Sequence, residues 1–166
     1  MRVLPYDPGW AERFHLEADQ LRRSLGDAIH AVEHFGSTSV PGLSAKPIVD
    51  IVVELTRRLE PFDRDALRDA GYIYERNVDD PDITFLAKGA HEVHLQLLPR
   101  AHPSVLTKLA VRDYLRAHPD EARLYADTKE AIAAAASGVA KDYALGKRAF
   151  VDALEARALD WVRRGY

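Results

Sequence analysis

The run "KPIVDIVVEL", Lys46–Leu55, constrains the fold of this chain more than any other stretch. It is rich in β-branched residues, which suit a pleated, half-buried surface. Side chains alternate across a strand, so Val49, Ile51, Val53 and Leu55 form one apolar face, fit for a core. Ile48, Asp50, Val52 and Glu54 share the other. An ionised carboxylate in mid-strand needs a partner: a base, a hydrogen-bond donor or a metal. Lys46 is one candidate. Glu54 shares the face of Asp50 but stands about 13 Å away by strand rise, and reads as solvated at the strand end.

The remaining punctuation sets the outline. "PYDPGW" is a turn-rich lead-in. A helix is predicted from about Trp10 to Leu25, with Phe14, Ala18, Leu21 and Leu25 on one stripe and Gly26 at its end. "HAVEHFG" reads as a short strand entering a glycine turn. "PFDRDALRDAGY" reads as a helix opened by Pro61 or Asp63 and closed by Gly71. "DITFLAK" and "HEVHLQLL" are strand-like runs, joined as a hairpin at Gly89-Ala90. From Pro103 the chain reads as helical, divided at Pro119, with Ser137-Gly138 ending an alanine-rich helix. Tyr143, Lys147, Phe150, Leu154, Ala158 and Trp161 or Val162 then recur at helical spacing.

The expected class is α+β, with a small mixed sheet of four or five strands flanked by helices, then a helical C-terminal part. At 166 residues a single domain is expected, sheet-bearing over about 1–100 and helical over about 101–166.

Composition narrows the function. A formal net charge of −3 gives no basic field and argues against nucleic acid as a partner. The apolar runs are too short for a membrane span, and the N-terminus lacks the apolar core of a signal peptide. Cysteine is absent, which removes disulfides, thiolate metal sites and cysteine nucleophiles. A cytoplasmic enzyme or binding domain is the expectation.

Two constellations carry chemistry. In the first, Gly36 permits a tight turn and Ser37, Thr38 and Ser39 supply hydroxyls. Such a turn either cradles phosphate with its backbone N–H groups or is simply capped by its own hydroxyls. A Walker loop is excluded, because five residues separate Gly36 from Gly42 and Leu43 follows. In the second, His91 and His94 stand three apart rather than the four of a helical zinc motif, and on a strand they face opposite ways. Glu92, His94 and Gln96 then share one polar face, either a site wall or a solvated surface. If the two strands are neighbours, Asp50, His94 and Glu92 converge, and carboxylate with imidazole suits a divalent metal. Ser37 or Ser39, His94 or His34, and Asp50 contain the parts of a serine hydrolase, but no G-x-S-x-G elbow is present.

"YDPGW", "HFGSTSVPGLSAKPIVDI" and "VRDYLRAHPDEARLYADTK", with the later Lys147 and Phe150, resemble the GrpB family of the nucleotidyltransferase superfamily. The resemblance covers nearly the whole chain. It implies a mixed sheet flanked by helices, a Gly-Ser turn on nucleotide phosphates, and acids holding divalent metal. Gly36 and Ser37 match the turn, and Asp50 matches the first acid. Val52 stands where the superfamily carries a second acid, and Gln96 stands where this family carries the second histidine of His-x-His. One metal or none is therefore expected, Mg or Mn before a zinc-type ion.

The ligand implied is a nucleotide or another phosphorylated small molecule. Gly36, Ser37, Thr38, Ser39 and Lys46 would surround its phosphates, with Lys129 and Lys147 as further contacts. Asp50 would be the catalytic acid and metal anchor, with His94, Glu92 and Gln96 completing the metal wall. Metal-dependent nucleotidyl transfer is the implied reaction. A non-catalytic binding module with a degenerate site, or a metal-dependent phosphoesterase, are the alternatives.

Overall fold

The computed structural model describes residues 3–75, 80–135 and 140–165, with the side chains of 132–135 and 140–147 outside that description. The chain divides into two compact units, Met1–Leu106 and Thr107–Tyr166.

The first unit holds five strands: β1 (Ile29–Phe35), β2 (Val49–Leu55), β3 (Tyr72–Glu75), β4 (Thr84–Lys88) and β5 (Val93–Pro99). They form one sheet in the order β1-β2-β5-β4-β3. β2 and β5 run parallel at its centre, and the other neighbours are antiparallel. This is the α+β class with a mixed sheet that the sequence implies. The fifth strand, β3, is the one its pattern does not announce. "YIYE" is only four residues long and lies at the sheet edge, where Ile73 and Tyr74 stay exposed.

Helix α1 (Gly9–Leu25) begins one residue before its expected start. The Asp7 carboxylate accepts the Gly9 N–H at 2.8 Å and so occupies a donor that the first turn cannot satisfy. Its buried residues include Trp10, Ala18, Leu21 and Leu25, a stripe at helical spacing. Helix α2 (Pro61–Asp69) is entered through a capping box, in which Glu60 and Asp63 each bond the other's backbone N–H. Both helices contribute to a core with the inward face of the sheet. Ile51, Val53, Val93 and Leu95 there are completely buried, and Leu55 is partly buried against them. The apolar face expected of β2 is thus the core face.

One acid lies inside this layer. Glu17 of α1 is only 4% exposed. It accepts hydrogen bonds from the Tyr72 hydroxyl at 2.8 Å, from Lys88 Nζ at 2.8 Å and from Arg13 Nε at 3.0 Å. The network ties α1 to β3 and β4.

The second unit is helical. α3 (Pro103–Ala117) runs into it from the first, followed by α4 (Pro119–Ala135) and α5 (Ala140–Arg163). Pro119 opens α4 as expected, since its missing N–H costs nothing in a first turn. Tyr114 and His118 meet the Trp161 ring at centroid distances of 5.9 and 5.6 Å, and Leu154 and Ala158 are buried. Glu121 of α4 pairs with Arg157 of α5 at 3.1 Å. The helix end expected at Ser137-Gly138 lies outside the described residues, as do the side chains of Tyr143 and Lys147. Among the described residues, no helix is long and apolar enough to cross a membrane.

Candidate phosphate and metal site

β1 leads into the Gly36 turn, and β2 returns antiparallel beside it with Phe35 opposite Asp50. On the other side of β2, Asp50 lies in register with His94 of β5. The convergence conditional on neighbouring strands therefore occurs for these two residues. Asp50 Oδ1 and His94 Nδ1 stand 3.4 Å apart, and both side chains are about a quarter exposed. Among the described residues, the group at ion-pair distance from Asp50 is His94, while Lys46 is exposed.

Gly36 is bound to this arrangement by geometry. Its φ of 74° and ψ of −174° lie in a region reserved for glycine. A Cβ there would stand 2.5 Å from Asp50 Oδ2. The turn thus needs glycine for its own conformation and for the carboxylate packed against it.

The hydroxyls divide by role. Thr38 is 2% exposed and its Oγ1 donates to the Ile48 carbonyl at 2.9 Å. That uses its one proton, so His34 Nε2, 3.0 Å away, must be the donor to Thr38. Ser39, 4% exposed, donates to the Gly36 carbonyl at 2.6 Å. Both hydroxyls brace the turn. Ser37 is half-buried at its head.

The β4–β5 hairpin corrects two expectations. His91 lies before β5 with a φ of 61°, a left-handed conformation that interrupts strand alternation. Its ring therefore meets the His94 ring, with centroids 5.8 Å apart and planes near perpendicular, rather than facing away. Glu92 also precedes β5. Its carboxylate lies 3.9 Å from Arg13 of α1 and against Gly89, and among the described residues it forms no set with Asp50 and His94 whose ligand atoms all lie within 4.8 Å of one another. Gln96 is half-buried two residues beyond His94, in register with Val52. Val52 is 1% exposed. Lys129 belongs to the helical unit, where its ammonium lies over the Tyr125 ring at 4.6 Å. The side chain of Lys147 is outside the described residues.

Sequence reasoning did not single out one further group. Asp80, Asp82 and His102 each offer a ligand atom within 4.8 Å of the others, a set able to hold a metal ion. The Ser104 N–H lies 3.3 Å from His102 Nδ1 and donates to it, which leaves the proton on Nε2, 3.4 Å from Asp80. An ion would have to displace that proton. About twenty residues separate the histidine from the acids, with no periodicity to link them.

Comparison with known proteins agrees with the sequence signature. The family model described as "GrpB protein" matches residues 1–157. A UPF0157 protein of Pseudomonas aeruginosa is 38% identical over 96% of this chain and 68% of its own length. The crystal structure of conserved protein GrpB from Enterococcus faecalis is 33% identical, covers 97% of this chain and 99% of that one, and superposes with a TM-score of 0.82. A much weaker likeness, with a TM-score of 0.46 and 15% identity over 69% of this chain and 38% of the other, is to the Cid1 poly(U) polymerase. The chain belongs to the GrpB family.

Proposed function

We propose that this protein binds a nucleotide or another phosphorylated small molecule through one divalent ion held by Asp50 and His94. The observation that carries the reading is the 3.4 Å approach of Asp50 Oδ1 to His94 Nδ1 beside the Gly36 turn. Adjacent ligands of an octahedral ion at about 2.1 Å stand about 3 Å apart, so the two donors fit a shared ion. The carboxylate, with phosphate and water completing the shell, suits Mg²⁺ or Mn²⁺, and the imidazole favours Mn²⁺, the softer of the two. Gly36, Ser37 and the turn backbone would contact the phosphate, and Thr38 and Ser39 would hold the turn's shape. Gln96 would offer a neutral oxygen.

Val52 favours a binding role over two-metal nucleotidyl transfer. It occupies the position where the superfamily pattern places a second acid, and it is apolar and 1% exposed. A second ion would lack its carboxylate there.

Calorimetric titration tests the reading. With Mn²⁺ present, ATP should bind the native protein, and Asp50→Asn should weaken binding at least tenfold with the melting curve intact. Unchanged affinity in Asp50→Asn would remove the metal role. Release of pyrophosphate with any acceptor hydroxyl would restore catalysis to the reading.

A further inference from the structure

A second concave surface lies at the opposite end of β2 from Asp50. The C-terminal ends of the parallel strands β2 and β5, with α2 and the start of β4, border a cavity of about 860 Å³. Its charged lining is Arg57, Arg58, Arg64, Arg68, Arg100 and Asp82, five guanidiniums against one carboxylate. Two of the five are neutralised locally. Arg57 binds Asp63 at 2.6 Å and Asp27 at 3.0 Å, and Arg68 binds Asp65 at 2.8 Å. Arg58, Arg64 and Arg100 are exposed, and none has a carboxylate within 4.0 Å among the described residues.

The backbone that carries Arg58 and Arg100 is braced. The Arg57 guanidinium donates to the Arg58 carbonyl at 3.1 Å, and the Arg100 N–H donates to the Leu55 carbonyl at 3.1 Å. The floor is apolar, with Leu67, Leu86 and Leu97 at most 5% exposed, and the exposed Tyr74 ring stands at the wall. Three guanidiniums facing one lining carboxylate leave an excess of positive charge, and an anion bound among them relieves their repulsion. Guanidinium forks match phosphate oxygens in pairs, which an ammonium cannot do. The volume falls within the range of small-molecule sites, about 300–1,000 Å³. A chain of net charge −3 offers no extended field for a long polyanion.

We infer that this cavity binds a small molecule carrying several phosphate groups on an apolar body, without a metal ion. Arg58, Arg64 and Arg100 take the phosphates, and the leucine floor with Tyr74 takes the body. The inference is independent of the Asp50 reading, because the two sites sit at opposite ends of β2 and only one calls for metal.

The test uses full-length Asp50→Asn protein in EDTA, titrated calorimetrically with ATP and with tripolyphosphate. ATP should bind, more tightly than tripolyphosphate. Replacing Arg58, Arg64 and Arg100 together by alanine should weaken it at least tenfold. Arg64→Glu alone, a single exposed reversal, should weaken it severalfold and guards against misfolding of the triple variant. No ATP binding in EDTA, or binding unchanged in both variants, would overturn the inference. Equal affinity for tripolyphosphate would overturn the role of the apolar floor. Tighter binding of a single-stranded oligonucleotide than of ATP would overturn the small-molecule assignment. Repeating the Mn²⁺ titration with the three arginines replaced isolates the Asp50 site, so the two readings fail separately.

Discussion

At Gly36 one residue carries two constraints that a side chain cannot meet. A Cβ would be strained at φ 74° and would overlap Asp50 Oδ2 at 2.5 Å. Gly36→Ala should therefore cost about 2 kcal/mol in urea unfolding. It should also lose Mn²⁺-dependent ATP binding, because the carboxylate must move. Thr38 makes a separate prediction. Thr38→Val keeps the volume but removes the acceptor for His34 Nε2 and the donor to the Ile48 carbonyl. A loss of about 1–3 kcal/mol is expected at this 2% exposed position. The hydroxyl run of the turn was visible in the sequence, but its division of labour was not. Which hydroxyls turn inward depends on β1 and β2 closing around them.

Among the elements, α2 shows how a short helix is held. Asp63, 1% exposed, accepts the Glu60 N–H at 2.8 Å and the Arg57 guanidinium at 2.6 Å. The Arg57 bond lowers its pKa most, burial opposes that, and the Glu60 N–H lowers it further, leaving it below the ordinary carboxylate value. Asp63→Ala strands the cap and frees Arg57, so about 2 kcal/mol and a melting point lower by about 4–8 °C are expected. Pro61, Asp63 and Gly71 marked this helix in the sequence. The hairpin that follows was legible as a pair of strands, yet its end was not. Alternation assumes extended backbone, and the left-handed His91 breaks it, moving His91 toward His94 and leaving Glu92 beside Arg13.

For the whole molecule, acid stability depends on Glu17 as well as Asp63. Burial raises the Glu17 carboxyl, but hydrogen bonds from Lys88, Tyr72 and Arg13 outweigh it and hold its pKa below the ordinary value. Burial and the adjoining Glu17 push the Tyr72 phenol well upward, so it remains a donor. A carboxylate with a depressed native pKa contributes stability that is complete above its unfolded pKa, about 4, and lost as pH falls through the native value. The native protein should therefore lose stability progressively below about pH 4–5. Glu17→Gln should flatten that dependence in urea unfolding at pH 3 to 7, with lower stability at pH 7. Lys88→Met, which removes the cation from Glu17, should cost about 3 kcal/mol at pH 7 and much less at pH 3.

The sequence by itself determined the elements that local rules govern. Strand β2 with its core face, the stripe of α1, the start of α2 at Pro61, the β4–β5 hairpin and the break at Pro119 all follow from periodicity and backbone stereochemistry. Its long signature also determined the family. Tertiary structure alone decided which residues meet. Pairing β2 parallel to β5 set Asp50 against His94, across more than forty residues of chain that no local spacing measures. The same parallel ends gathered arginines from β2's exit, α2 and β5's exit around one cavity. Register and crossover are properties of the assembled sheet, so they become fixed only when distant segments close on a common core.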